Sequence, residues 1–396
     1  MQASVKNLQY LKATNQASIF KHLATIGPAS RVALARELGL SKMTITNLVT
    51  DMMQERLVAE TDWQISYDGI NGRKSIALDI PDFRINAIGL FIERFCVHCN
   101  AMDIKGRQFY YNSLPIPPDA DNQTLVDIVF ALLDGLFASV PAYPFSGIGI
   151  SSIGPVDLNS TTILHPTNFC NISNLPLGRI LADELNLPVY MLNCMSAAAL
   201  AEHLYGNARE CKNIIYLGLG SGVGSGAIIN GNVFTGTKGF AGEMGHMSID
   251  PIGGRMCFCG QRGCLETYTS TYALLKRLNY QSVDALVFDI KNKRLTQAAQ
   301  EELDLFYRAV LSASIAIANI YDPEMIVIGD QGSLILESRL DQLRDEVNSL
   351  MIQHDVRVLQ LTTSAFHSRT PLIGAPSIIF DRIFSKVLPP FNFTKA

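Results

Sequence analysis

Long uninterrupted hydrophobic runs are missing from this chain of 396 residues: its most apolar segments carry Asp or Gly within a few positions. None offers the ~20 consecutive apolar residues of a membrane-spanning helix. Met1–Tyr10 is too polar for a secretory signal, so the sequence reads as cytoplasmic. Low-complexity tracts and short-period repeats are also lacking, which argues against linker, collagen-like and solenoid architectures. Charge is sparse at 17% and hydrophobic residues reach 48%, a balance that supplies packed cores and excludes wholesale disorder. Acidic residues are scarce at one end. Residues 1–50 hold the single acid Glu37 against Lys6, Lys12, Lys21, Arg31, Arg36 and Lys42, a local charge of +5, whereas the remainder carries −9. A basic module on an acidic body points to nucleic-acid contact, although a solvated helix face would give the same count. At roughly 100–200 residues per domain, the length implies two or three domains.

Apolar residues Ala17, Ile19, Phe20 and Leu23 recur at helical spacing from Asn15 to Ile26, and Gly27-Pro28 ends that helix. Ser30 is placed to cap a short helix through Leu38, Gly39 supplies a turn, and Ser41 caps a third helix to about Arg56. This is the grammar of a helix-turn-helix. Ile45, Leu48, Val49 and Met52 share one face of the third helix, leaving Lys42, Met43, Thr46, Asn47 and Thr50 outward. Glu60–Tyr67 and Arg73–Leu78, joined through Asp68-Gly69-Ile70-Asn71-Gly72, read as a β-hairpin wing. The candidate base-reading or flanking residues are Ser41, Lys42, Thr44, Thr46, Asn47 and Thr50. Arg31, Arg73 and Lys74 are candidates for phosphates or a minor groove. A protein-interaction module whose third helix merely packs is the alternative. Pro81-Asp82 marks the exit from this module, so residues 1–81 form the first domain.

Beyond it, β-rich runs (Ile85–Ile92, Ser146–Ile150, Val189–Leu192, Ile214–Leu219, Met325–Ile328) alternate with helical patterns (Leu125–Val140, Ser196–Tyr205, Glu301–Tyr321), as in an α/β domain. The glycines from Gly218 to Gly226 follow one strand and precede another, which counts against a dinucleotide-binding turn. The sharpest constellation is Cys257-Phe-Cys259-Gly-Gln-Arg-Gly-Cys264 with His246 upstream, a Cys₃His set suited to a structural Zn²⁺. Unligated thiols or a disulfide are the alternatives, the latter disfavoured in a reducing compartment. Cys96, Cys99, Cys170, Cys194 and Cys211 are scattered and read as ordinary buried thiols. Ser377–Val387 is an amphipathic run expected to pack back on the body.

Taken together, Glu243-Met-Gly-His246, Gly254-Arg-Met-Cys-Phe-Cys-Gly-Gln-Arg-Gly-Cys-Leu-Glu266, Gly147-Ile-Gly-Ile, Gly154-Pro-Val-Asp157, the Asn168 region, Ala197–Tyr205 and Asp322-Pro-Glu-Met-Ile-Val-Ile-Gly329 resemble the ROK family (repressor, ORF, kinase) over almost the whole chain. That family comprises bacterial sugar kinases and sugar-responsive repressors, and only the repressor branch has a winged helix-turn-helix ahead of the body. The resemblance implies an α/β fold class: the N-terminal winged helix-turn-helix is followed by a two-lobed actin-like (ribonuclease H-like) sugar-kinase fold. The lobes are expected over 82–194 and 195–396, in a homo-dimer or tetramer. It further implies that Asn168, Asn193, Glu243, His246 and Glu266 contact an effector sugar, and that His246, Cys257, Cys259 and Cys264 hold the zinc.

The kinase pattern is broken at three places. The Asp-x-Gly-Gly-Thr phosphate loop is replaced near Gly89-Leu-Phe-Ile-Glu-Arg-Phe, the Asn-Asp pair bearing the catalytic base is Asn193-Cys194, and the adenosine-binding Gly-Gly-Gly is Gly329-Asp-Gln. A thiol does not replace a carboxylate base, so no catalytic residue is assigned. The expected function is therefore repression of sugar-uptake, phosphotransferase-system or sugar-catabolism genes through a double-stranded operator. Relief would come from a sugar, a sugar phosphate or a phosphotransferase-system glucose transporter domain. A sugar kinase fused to a DNA-binding domain, or a zinc-stabilised interaction protein, are the competing readings.

Overall fold

The computed structural model describes residues 2–65, 75–140, 143–166 and 169–385. Helix α1 (Gln2–Thr25) is longer than the periodic segment from Asn15 suggests, and Ile19, Phe20, Leu23 and Ala24, within that segment, are buried. Strand β1 (Ala29–Ser30) leads into α2 (Arg31–Glu37) and α3 (Lys42–Gln54). Ser30 and Ser41 cap α2 and α3 by accepting from the amides of Ala33 and Thr44. Strands β2 (Ala59–Ile65) and β3 (Ser75–Asp79) form the hairpin, and β1 pairs with β3. The tip that would carry Arg73 and Lys74 lies outside the described residues.

The first lobe runs β4 (Asn86–Ile92), β5 (Cys96–Asp103), β6 (Gln108–Pro115), α4 (Asn122–Ser139), β7 (Phe145–Ser152), the short pair β8 (Val156–Asp157) and β9 (Thr162–Ile163), α5 (Leu177–Leu185) and β10 (Val189–Asn193). Its sheet has the order β10-β7-β4-β5-β6. The second lobe follows with α6 (Cys194–Leu204), β11 (Ile214–Leu219), β12 (Val223–Ile229), β13 (Asn232–Phe234), α7 (Leu265–Thr269), α8 (Thr271–Leu278), α9 (Val283–Lys291), α10 (Gln297–Tyr321), β14 (Met325–Gly329), α11 (Gly332–Leu336), α12 (Leu340–Leu350) and β15 (Gln360–Thr363). Its sheet has the order β13-β12-β11-β14-β15.

The two orders are the same topology. In each lobe an antiparallel three-strand meander is extended by two parallel strands on the side of its first strand. This duplication defines the actin-like architecture, although no internal repeat is visible in the sequence. Helix α10 alone among the described helices is long and apolar enough to cross a membrane, yet here Leu303, Phe306, Val310 and Ile317 bury themselves in the second lobe's core.

The chain then returns to the first lobe. Helix α13 (Thr370–Phe384) lies on β4 and β7 and against α6. The run expected at Ser377–Val387, of which residues 386–387 lie outside the described residues, does pack back on the body, but its amphipathic character is corrected: the helix begins at Thr370 and is buried on nearly every side. Pro376 within it cannot donate to the carbonyl of Leu372, and Asn100 Nδ2 donates to that oxygen at 3.3 Å instead. Its far end joins α1, with Phe384 and Phe20 ring centroids 6.4 Å apart. Ile19, Leu23, Ile45 and Met52 therefore share one continuous core with Ile378, Phe380 and Ile383, so the N-terminal module is welded to the body.

Candidate functional site

Helix α3 presents the candidate reading surface. Its buried face is Ile45, Leu48, Val49 and Met52, and Lys42, Met43, Thr46, Asn47 and Thr50 are exposed. The Thr46 and Thr50 hydroxyls donate to the carbonyls of Lys42 and Thr46, both at 2.8 Å, so their oxygens are left as acceptors towards a partner. Ser41 and Thr44 turn inward to each other, with hydroxyl oxygens 2.8 Å apart, and serve the helix terminus. Arg31 faces the hairpin, where its guanidinium pairs with Glu60 at 2.8 Å. Lys12 bonds Asp51 at 2.6 Å and fixes α1 to the back of α3.

The cysteine-histidine set is assembled by a compact loop. Met244–His246 form one 3₁₀ turn, and the segment after it folds back through bridges Ser248–Cys264 and Met256–Arg262. Gly263, at φ +72°, packs so closely on the Asp250 backbone that a side chain there has no room. The ligand atoms of His246, Cys257, Cys259 and Cys264 all lie within 4.8 Å of one another. His246 Nδ1 is 3.6 Å from Cys257 Sγ, and Cys259 Sγ is 3.6 Å from Cys264 Sγ. A tetrahedral ion with bonds of about 2.0–2.3 Å requires edges of about 3.3–3.8 Å, so the donor set fits one closed metal site. The sulfur separation is far beyond the ~2.05 Å of a disulfide, and all eight cysteines are free; of the five scattered ones only Cys99 and Cys194 are buried, whereas Cys96, Cys170 and Cys211 are partly exposed, which corrects the expectation of buried thiols. Burial pushes the Cys264 thiol up to about 12, so a cation must be close for it to ionise.

This loop also builds one wall of a cleft between the lobes, with a volume of about 320 Å³. Glu243, His246 and Glu266 line it, and Glu266 Oε2 accepts from the amide of Val223 at 2.9 Å. Asn193 reaches the same cleft, but its Oδ1 caps α6 by accepting from Met195 N at 2.9 Å. Four of the five sugar-contact candidates thus converge, and Asn168 falls outside the described residues. Cys194 opens α6 beside them, and burial, then the charge of Asp330, pushes its thiol up to about 12. It stays protonated at neutral pH and offers no general base.

Sequence reasoning missed Asp330 and Glu93, which also line the cleft. The signal is present in the sequence: Asp330 stands where the resemblance implies glycine, and a carboxylate at that position adds a charged group as well as removing a glycine. Burial, followed by the charge of Glu93, pushes the Asp330 carboxyl up to about 7. At this carboxyl the folded state holds its proton more tightly than the unfolded one between about pH 4 and 7, so the stability Asp330 contributes is lost as pH rises through that window, against an opposite contribution from His203, whose imidazole is pushed down to about 4. Asp330→Asn should flatten this slope and leave the variant roughly 2–4 kcal/mol more stable than the parent at pH 8. Urea unfolding from pH 4.5 to 8 measures it, and an unchanged slope would show that Asp330 is not the titrating group.

The ROK family model matches residues 92–382, nearly three quarters of the sequence. The chain belongs to the ROK family. Among its curated ROK relatives, the xylose repressor of Caldicellulosiruptor bescii is 29% identical over 397 residues, covering 96% of this chain and 98% of that protein. The transcriptional dual regulator NagC of Escherichia coli K12 is 28% identical over 348 residues, 83% of each chain. A crystal structure of a ROK transcriptional regulator homologous to E. coli MLC aligns with a TM-score of 0.73 over 94% of this chain and 97% of that one, at 22% identity. The ROK hexokinase of Thermus thermophilus aligns with a TM-score of 0.64 over 76% of this chain and 99% of its own, at 23% identity. Both structures share the fold. The shorter coverage by the hexokinase is what a kinase lacking the N-terminal module would give.

Proposed function

We propose that this ROK protein is a sequence-specific transcriptional repressor of sugar-uptake or sugar-catabolism genes. The observation that carries the reading is an outward polar face on α3, rigidly joined to a sugar-kinase-type body that lacks a catalytic carboxylate beside Asn193. Two copies, as a dimer or within a tetramer, would set two α3 helices over a pseudo-palindromic operator. Zn²⁺ in the Cys₃His set would hold the loop that carries His246, Glu243 and Glu266, and so keep the effector cleft in shape. Ligand entry would change the cleft where Pro371, near the start of α13, lines it, and α13 would pass that change to α1 through Phe384 and Phe20.

The deciding experiment is selection of bound duplexes from genomic or random DNA by the purified chain at near-physiological salt. Enrichment of a two-fold-symmetric site beside sugar genes supports the reading, and its absence from folded protein would overturn it. On the selected site, Asn47→Ala should cost about 1–3 kcal/mol and relax preference at one base pair. Lys42→Gln should instead weaken binding to all sequences and reduce the salt slope by about 1. The names of the curated relatives make xylose and N-acetylglucosamine the first effectors to try, with sugar phosphates and a phosphotransferase-system transporter domain next. An inducer must lower operator affinity. A coupled phosphorylation assay should show no turnover, and turnover would restore the kinase reading.

A further inference from the structure

The hairpin turn between β4 and β5 brings together a second set of metal-ligating side chains, separate from the Cys₃His loop. The Glu93 amide donates to the Cys96 carbonyl at 3.1 Å and closes this turn. Along β5 the two-residue period puts Cys96 and His98 on one face. The turn places Glu93 beside them: its Oε1 is 3.0 Å from His98 Nε2, and one ligand atom from each of the three residues lies within 4.8 Å of the others. The imidazole is held from behind. Phe91 stacks on it at 5.4 Å, and Tyr111 Oη lies 3.1 Å from Nδ1, where it can accept a hydrogen bond from Nδ1–H in the tautomer that leaves Nε2 free to ligate.

We propose that Glu93, Cys96 and His98 form a second divalent transition-metal site, of the Zn²⁺ class, at the rim of the interlobe cleft. A thiolate and an imidazole select against Mg²⁺ and Ca²⁺, which require oxygen ligands, and a carboxylate with them suits Zn²⁺, Co²⁺ or Ni²⁺. Three protein ligands leave a fourth position for water or for a hydroxyl of a cleft ligand. Glu93 itself lines that cleft, and Asp330 on the opposing lobe lies close enough to feel its charge, so an ion here would bear on the two lobes together. With no ion, the same atoms make a Glu93–His98 hydrogen-bond contact and a Cys96 thiol donating to the Leu114 carbonyl at 3.1 Å, which is the arrangement the test must separate from a metal site.

The full-length protein, stripped with a chelator under reducing conditions, is loaded with Co²⁺ or Zn²⁺ and its bound metal counted after dialysis. The proposal expects two ions per chain. Cys96→Ser and His98→Gln should each bind one ion and keep the three-thiolate cobalt spectrum of the Cys₃His loop. Glu93→Gln, a surface change that leaves the strands intact, should weaken the second ion about 10-fold or more. Cys259→Ser should show the converse, one ion with a single-thiolate spectrum. Saturation of the parent at one ion, or two ions retained in both Cys96→Ser and His98→Gln, would overturn the site. Two ions retained in Cys259→Ser would instead count against the Cys₃His assignment.

Discussion

Cys264→Ser should strip the chain of about one bound metal ion and destabilise it by of order 5 kcal/mol or more. Cys264 is fully buried, and it sits at the junction where the loop from Met244 ends and α7 begins. Removing its sulfur leaves His246, Cys257 and Cys259 with three donors for an ion that prefers four, and structural zinc contributes its binding free energy directly to folding. The damage should extend to the cleft. His246 is a proposed ligand as well as a cleft residue, and Glu266 lies two positions beyond Cys264, so effector binding should fall with the metal content. Metal analysis and urea unfolding of Cys264→Ser, beside a Cys170→Ser control away from the loop, measure both effects. Full metal content with parental stability would remove the structural role assigned to this set.

Gly149→Ala should be the most damaging single methyl group in the first lobe. Gly149 on β7 pairs with Gly89 on β4, and these two residues form a floor on which α13 lies in backbone contact. A β-carbon at Gly149 would be driven into the backbone carbonyl of Ala375, with the Ile378 β-carbon close by, so no flexible side-chain end is there to yield. We expect a loss of about 3 kcal/mol or more, the upper part of the range for overpacking a core. Because the same helix ends on Phe20, operator affinity should fall as well, and whatever affinity is left should respond less to an inducer. Gly253→Ala is the control, since its nearest atoms would stand 3.6 Å away on the Asp250 carboxylate, and it should change stability by less than about 0.5 kcal/mol. Denaturant unfolding and operator titration of the two variants separate a packing defect from a generic glycine effect. Equal stability of both would show that α13 can shift to accommodate the methyl group, and the tight relay would be withdrawn.

A rigid relay also accounts for buried charge at the junction between module and body. Lys21 on α1 lies 3.2 Å from His203 Nε2 on α6, where burial and the Lys21 ammonium push the imidazole down to about 4. His203 is therefore neutral at physiological pH and can accept from the lysine. Glu202, the preceding residue, accepts from Ser364 Oγ at 2.6 Å and Ala365 N at 2.9 Å, which ties α6 to the strand leading to α13. Helix α6 thus begins at the cleft with Cys194 and, near its other end, meets the N-terminal module through His203.

Features written in short stretches of chain were legible without coordinates. Ser30 and Ser41 announce helix starts because a hydroxyl at that position satisfies an otherwise orphaned amide, and the face of Ile45, Leu48, Val49 and Met52 follows from 3.6 residues per turn. The Cys₃His set was legible because its donors fall within nineteen residues, so local turns suffice to gather them. The absence of a base beside Asn193 was equally a matter of identity at one position. Tertiary structure decided the rest. The matching order of the two five-stranded sheets depends on which distant strands pair, and strand propensity does not encode a partner. Asp330 and Glu93 line one cleft from positions far apart in sequence, and Glu93, Cys96 and His98 come together only through the turn that closes the hairpin. The burial of α13 on nearly every side, and its fusion of the N-terminal module with the body, required a glycine floor and a proline whose lost hydrogen bond is made good by Asn100 from another strand. The sequence by itself determined the chemistry each segment could offer; only packing between remote segments decided which of those groups would meet.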